Sequence, residues 1–262
     1  MISSAQNVKI KLVRELLSSR KRREESGLFV IEGVRMAEEA LEAGLIPEII
    51  LYSQMISQTG MQAVDRFSGP TNAIAEVSAD LLNRVSDTRH SQGVLLVLPI
   101  PHNPVSNQVD RVLALDNIHD PGNMGTILRS AAAFGFKTIF LTPGCTDPYS
   151  PKVARAGMGA HFKVTLQHMP AEKIVNFCKN INQPPLAVLL ADAENGRVCW
   201  ESDLTQPLCL FVGSEAQGAA GEIHALADEI VSIPMLQDTE SYNAAVSASI
   251  LMYEIHRQRK SR

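Results

Sequence analysis

Several signatures are missing from this chain, and each absence narrows what it does. The four cysteines, Cys145, Cys178, Cys199 and Cys209, lie far apart with no paired metal-ligand spacing. Disulfide scaffolds and structural zinc sites are therefore not expected, and a reducing compartment fits. Basic residues do not predominate: 24 Lys and Arg stand against 28 Asp and Glu, for a formal net charge of −4. That excludes a protein coated in positive surface, so any contact with nucleic acid must come from a local patch. No apolar run approaches the roughly 20 residues of a membrane helix, and the polar, charged opening MISSAQNVKIKLVREL is no secretory signal. The seven histidines show no HExxH-like spacing, so no metal is expected. A cytoplasmic globular protein, in contact with no membrane, is the expectation.

What is present reads as two α/β regions. In the first hundred residues, Ile10, Val13, Leu16 and Leu17 share one face of a helical pattern. The basic run Arg20-Lys21-Arg22-Arg23 follows. Leu28–Ile31 and Ile49–Tyr52 read as strands around a helix from Gly33 to Ala43, Ser78 as the N-cap of a helix to Val85, and Gly93–Leu98 as a buried strand. The proline-rich stretch PIPHNPVSNQ separates this region (1–100) from the rest, with 101–108 as a linker. Beyond it, continuous apolar runs at Arg111–Leu115, Thr138–Thr142, Leu186–Ala191, Leu208–Val212 and Glu229–Ile233 alternate with helical segments. That alternation predicts a parallel sheet covered by helices on both faces over 109–262.

Three segments of this second region carry the chemistry. The first, LALDNIHDPGNMGTILRSAAAFG (113–135), runs from a strand through a loop containing Pro121, Gly122 and Gly125 into a helix from Met124. It sets Asn123 and Arg129 at the carboxyl edge of the sheet, where open α/β folds bind ligands. The second, LCLFVGSEAQGAAGEI (208–223), places the carboxylate of Glu215 between glycines at a strand end. The third, VSIPMLQDTESYNAAVSASILMYEIHRQRK (231–260), leads from a strand into Ser241-Tyr242-Asn243 and a closing helix. Ser241 reads equally as that helix's cap and as a site residue. The stripe Val246, Ile250 and Tyr253 fits core or subunit contact.

Together these segments resemble the SpoU/TrmH family of RNA 2′-O-ribose methyltransferases, a branch of the knotted SPOUT class, and most nearly those acting on 23S rRNA. The first motif contributes Asp116, Asp120-Pro121, Asn123, Gly125, Arg129, Ala131 and Gly135; the second, Gly213, Glu215 and Gly218; the third, Ile233-Pro234-Met235, Ser241, Asn243 and Tyr253-Glu254. In the N-terminal region, Phe29–Arg35 and Gln92–Leu95 resemble the family's L30e-like RNA-binding domain. This sequence departs from the family at Tyr242, where leucine is usual, and at Ala245, where a small hydroxyl residue is common.

The resemblance implies a knotted fold, a homodimer and S-adenosylmethionine as methyl donor. The donor would be held largely by the main chain at Thr142, Gly213, Ile233 and Tyr242. Asn123, Arg129, Glu215, Ser241 and Asn243 would form the catalytic set, facing the ribose-phosphate of an RNA, with 23S rRNA expected and transfer RNA as the alternative. A guanidinium keeps its proton at physiological pH, so Arg129 is expected to clamp phosphate and stabilise charge, the ribose proton leaving to a phosphate oxygen or water. For Lys9, Lys11, Arg14, Arg20, Lys21, Arg22 and Arg23, two readings stand: a solvated charged face, or RNA phosphate contacts. A binding module without catalysis would not need the full polar set. A nucleotide-binding oxidoreductase lacks its G-x-G-x-x-G after the first strand.

Overall fold

The computed structural model describes residues 1–67, 73–88, 91–102, 104–106, 108–181, 183–193, 195–213, 221–236 and 241–260. They form two units, Met1–Pro101 with Asp147–Phe162, and His102–Thr146 with Lys163–Arg262. A stretch that the sequence leaves inside the second region thus folds with the first.

The first unit holds α1 (Val8–Ser18), α2 (Arg20–Ser26), β1 (Leu28–Glu32), α3 (Val34–Glu42), β2 (Ile49–Tyr52), α4 (Gln58–Arg66), β3 (Ile74–Glu76), α5 (Ala79–Val85) and β4 (Val94–Pro99). Its sheet runs β1-β4-β2-β3, with β4 antiparallel to β1 and β2, and β3 parallel to β2. Side chains alternate across a strand, so central β4 feeds two cores. Leu95 and Val97 join Ile10, Val13 and Leu16 of α1, while Val94, Leu96 and Leu98 join Phe29, Met36 and Phe67. The expected face of α1 is therefore the buried one. Ser78 precedes α5, but its side chain makes no capping bond there. Its amide instead donates to the Ile2 carbonyl at 2.9 Å, which ties down the N-terminal segment.

The remaining elements are β5 (Arg111–Leu115), α6 (Pro121–Phe134), β6 (Thr138–Leu141), α7 (Pro151–Gly157), β7 (Thr165–His168), α8 (Ala171–Asn180), β8 (Ala187–Ala191), β9 (Arg197–Val198), β10 (Leu208–Val212), α9 (Gly221–Leu226), β11 (Glu229–Ser232) and α10 (Ala244–Lys260). In the second unit, seven strands form one parallel sheet in the order β7-β6-β5-β10-β8-β11-β9. Strand β10 is buried along its whole length, as a central parallel strand must be. Val112, Ala114, Phe140, Val188 and Phe211 pack with Ile174, Val175 and Cys178 of α8 in one core. Helices α6 and α10 pack on each other and are joined by a hydrogen bond between the Ser130 and Ser249 hydroxyls, 2.8 Å.

Helix α7 belongs to the first unit and lies against β1. Tyr149 meets the Phe29 ring edge-on, with centroids 5.1 Å apart. Asp147 receives the Arg23 guanidinium at 2.6 Å (Nη2) and 2.7 Å (Nε). A third nitrogen of Arg23 donates to the Leu16 carbonyl.

Candidate active site

The first motif is more helical than its sequence predicts. Helix α6 begins at Pro121 rather than Met124, because Asp120 caps it and accepts the Asn123 amide at 2.7 Å. Proline at the first helical position forfeits no bond and fixes φ favourably, so Gly122 and Gly125 lie in the helix, not in a loop. Asn123 consequently sits in the first turn of α6. Gly135 ends the helix at φ 81°, a left-handed conformation that carries no Cβ penalty in glycine.

Before α6, the ends of β5 and β6 are stitched together. Asp116 is buried and accepts the Thr142 hydroxyl at 2.5 Å. The Thr142 amide donates to the Leu115 carbonyl at 2.9 Å, and the Thr146 amide to Ile118 at 2.8 Å. Asn117 takes a positive φ of 54°, and its side chain lies so close to Gly144 that a Cβ there would come within 2.2 Å of Oδ1. Gly144 itself has φ +98°, so both space and backbone demand glycine. Burial pushes the neighbouring Cys145 thiol above its ordinary pKa, marking it as packing rather than nucleophile.

The third motif meets the first directly. The side-chain amide of Asn243 donates from Nδ2 to Asn123 Oδ1 at 2.9 Å, across 120 residues of sequence. Asn243 Oδ1 also accepts from the amides of Ala245 at 3.0 Å and Val246 at 3.3 Å. Asn243 is therefore the cap of α10. Ser241, read in the sequence as a possible cap, is exposed two residues ahead of it.

Arg129 does not join this pair within the chain. It is exposed, and its side chain has no ion pair or hydrogen bond among the described residues. Six residues beyond Asn123, it stands about 9 Å further along an ideal helix and roughly 120° around it. Its charge is thus offered outward. Glu215 and Gly218 lie outside the described residues.

Because all seven strands are parallel, their carboxyl ends share one edge. Thr142 follows β6, Asp116 follows β5, Gly213 follows β10, Asp192 follows β8 and Ile233 follows β11, five neighbouring strands. Gly213, Ile233 and Tyr242 are half-buried, whereas Thr142 is buried. Among the described residues, the main-chain groups of Gly213 and Ile233 make no hydrogen bond. A half-buried edge with open amides and carbonyls fits an adenosyl ligand recognised through main chain. Thr142 fits less directly, since its hydroxyl and amide are already spent on Asp116 and Leu115. The sequence reading missed Asp192, whose carboxylate lies 3.3 Å from His224 Nε2 at the same edge. Its only prior signal was its place just past an apolar run.

The basic run fares differently from its expectation. Arg20 pairs with Glu24 at 2.7 Å, Lys21 with Glu25 at 3.7 Å and Arg22 with Glu15 at 3.0 Å. Arg23 is 4% exposed and bonded to Asp147, so the assignment of this residue to a phosphate-facing surface is corrected: it is a structural ion. Lys9, Lys11 and Arg14 make no ion pair among the described residues. Among the described residues, no group of three or more His, Cys, Asp or Glu is placed to hold a metal, and no helix is long and apolar enough to cross a membrane.

Comparison with known proteins agrees with this geometry. The SpoU rRNA Methylase family model matches residues 110–253, and the MRM3-like substrate binding domain matches residues 7–96. A Synechocystis protein named as an uncharacterized tRNA/rRNA methyltransferase is 30% identical, covering 98% of this chain and 93% of its own. The Bacillus subtilis 23S rRNA (guanosine-2′-O)-methyltransferase RlmP is 28% identical, covering 97% and 98%. The crystal structure of the SpoU methyltransferase AviRb from Streptomyces viridochromogenes, bound to S-adenosylmethionine, superimposes with a TM-score of 0.85 at 28% identity, covering 98% and 100%. The chain belongs to the SpoU rRNA methylase family, RNA 2′-O-ribose methyltransferases that take their methyl group from S-adenosylmethionine.

Proposed function

We propose that this protein methylates the 2′-hydroxyl of one nucleotide in 23S rRNA, at the edge formed by Asn123, Asn243 and the ends of β6, β10 and β11. The observation that carries the site is the 2.9 Å amide bond between Asn243 and Asn123, which fastens the third motif to the first. The 23S assignment draws on the similarity to RlmP, whose name specifies that RNA. Residues 1–100 serve as the RNA-binding domain, in keeping with the substrate-binding model that matches them. A cytoplasmic homodimer with a knotted catalytic domain completes the reading.

S-adenosylmethionine supplies an electrophilic methyl on a sulfonium. The open main chain at Gly213 and Ile233 would hold it, with the Tyr242 region closing one side. The chain's own residues must then bring a weakly acidic hydroxyl into line with that methyl, and such ordering supplies several kcal/mol of the barrier reduction. Asn123 and Asn243, locked by their mutual bond, present amide edges that orient the ribose. Arg129, outward and without an internal partner, grips the adjoining phosphate with two parallel N–H groups and balances charge developing on the attacking oxygen. The proton passes to a phosphate oxygen or water. Glu215 and Ser241 are assigned supporting contacts in the same site.

The test is direct. The protein is incubated with radiolabelled S-adenosylmethionine and unmodified 23S, 16S and transfer RNAs, and the labelled position is mapped. Label on a ribose of 23S rRNA is expected. Label confined to transfer RNA reassigns the substrate, and label in none of the three overturns the proposal.

A further inference from the structure

Between α1 and α5, wholly within the first unit, lies an open groove of about 430 Å³. Leu17 and Val85 line its apolar floor, and Lys11, Arg14 and Arg84 supply its cations. We infer that this groove is a docking site for the sugar-phosphate backbone of the RNA. The inference rests on the reading of this protein as an RNA methyltransferase and deepens it.

Charge accounting singles out this place. A chain with a net charge of −4 repels RNA at long range, so attraction must be local. The densest basic run, 20–23, is already engaged by Glu24, Glu25, Glu15 and Asp147. Lys11 and Arg14 are different: both are exposed, and neither has an ionic partner among the described residues. Three residues apart on one helix, they stand on the same face.

Arg84 joins them from α5. It is held by Asp80 at 3.2 Å, an exposed pair four residues apart like those of Arg20 and Lys21, so Lys11 and Arg14, without an ionic partner among the described residues, carry the attraction. Glu15, the one acid lining the groove, is held by Arg22 at 3.0 Å, which offsets its charge. Cations over a partly apolar floor suit a phosphodiester strand, whose anionic oxygens meet the charges while the sugar edge meets the floor. An acidic protein segment would meet the same charges, but the substrate-binding match over residues 7–96 favours RNA.

The test measures how RNA affinity depends on salt. Each phosphate contact contributes about 0.7 to the slope of log Kd against log salt for single strands, and about 0.9 for duplex. Lys11→Ala/Arg14→Ala in the full chain should therefore flatten the slope by about 1.4 on a labelled uridine 20-mer. That corresponds to roughly 25-fold weaker binding at 0.1 M salt. S-adenosylmethionine affinity should stay at the wild-type value, which also reports that the variant is folded. The paired-cation control Arg20→Ala/Lys21→Ala should leave the slope unchanged.

A wild-type slope in Lys11→Ala/Arg14→Ala overturns the groove, as does a control that loses as much slope. So does loss of binding to a polyglutamate peptide with RNA binding intact. If wild-type protein methylates no RNA while the slope change persists, the functional reading fails and the groove stands.

Discussion

Asn243 performs two separable tasks, and its substitutions should separate them. Its Oδ1 caps α10 through Ala245 and Val246, while its Nδ2 reaches Asn123. Serine caps a helix about as well as asparagine but is too short to span to Asn123; alanine does neither. Replacing a good cap by alanine costs about 1 kcal/mol, and the lost amide bond about another 0.5–1.5 kcal/mol. Asn243→Ala should therefore lose roughly 1.5–2.5 kcal/mol and Asn243→Ser only the hydrogen-bond share. For a unit of this size, each kcal/mol lowers Tm by about 2–4 °C. Melting of both variants is followed by circular dichroism, and methyl transfer is measured on the RNA that the wild type modifies. Turnover should fall in both variants by about tenfold or more, because both release Asn123. Should Asn243→Ser melt as low as Asn243→Ala, the capping argument is wrong. Should both keep wild-type turnover, the amide bond does not organise the site.

Three further outcomes are expected. Arg129→Lys keeps the charge but loses the planar fork, so turnover should drop about 10- to 100-fold; near-full activity would refute the phosphate clamp. Gly144→Ala forces a Cβ against Asn117 and strains a positive φ, so it should destabilise the second unit by about 1–3 kcal/mol and weaken S-adenosylmethionine binding measured by calorimetry. His161 is buried, with Nε2 donating to the Pro148 carbonyl at 2.6 Å and Nδ1 lacking any partner, and its pKa is pushed down to about 4 by burial. The neutral form is the one the fold accepts, so its contribution is fully present above the unfolded value of about 6.5 and lost as pH falls towards 4. It amounts to about 3 kcal/mol. Urea midpoints of wild type and His161→Phe should converge between pH 7.5 and 4.5; parallel curves would refute this.

The sequence revealed those elements whose pattern is local. Strands β5 and β10 lie where their apolar runs place them, because continuous burial leaves an unbroken hydrophobic signature. The polar residues of the first and third motifs were legible too, and two of them, Asn123 and Asn243, meet. What escaped depended on distant partners or on small preferences. The start of α6 turned on a capping aspartate and a proline that also read as a loop. The fate of Arg23 turned on Asp147, 124 residues away, which no helical or strand period encodes. The role of Asn243 as cap was masked by Ser241, an equally good capping residue two positions earlier.

The excursion of Asp147–Phe162 into the first unit has a bearing on how the molecule is built and dissected. The N-terminal body is not a continuous stretch of polypeptide: Tyr149 and Phe162 join its core, and Asp147 neutralises its buried Arg23. During synthesis that body stays unfinished until residue 162 has left the ribosome, by which time β5 and β6 are already made. A deletion ending near residue 101 would likewise be no clean excision. It would strip α7 and its flanking aromatics of the surface they cover, so the two halves are better probed by point substitutions than by cutting.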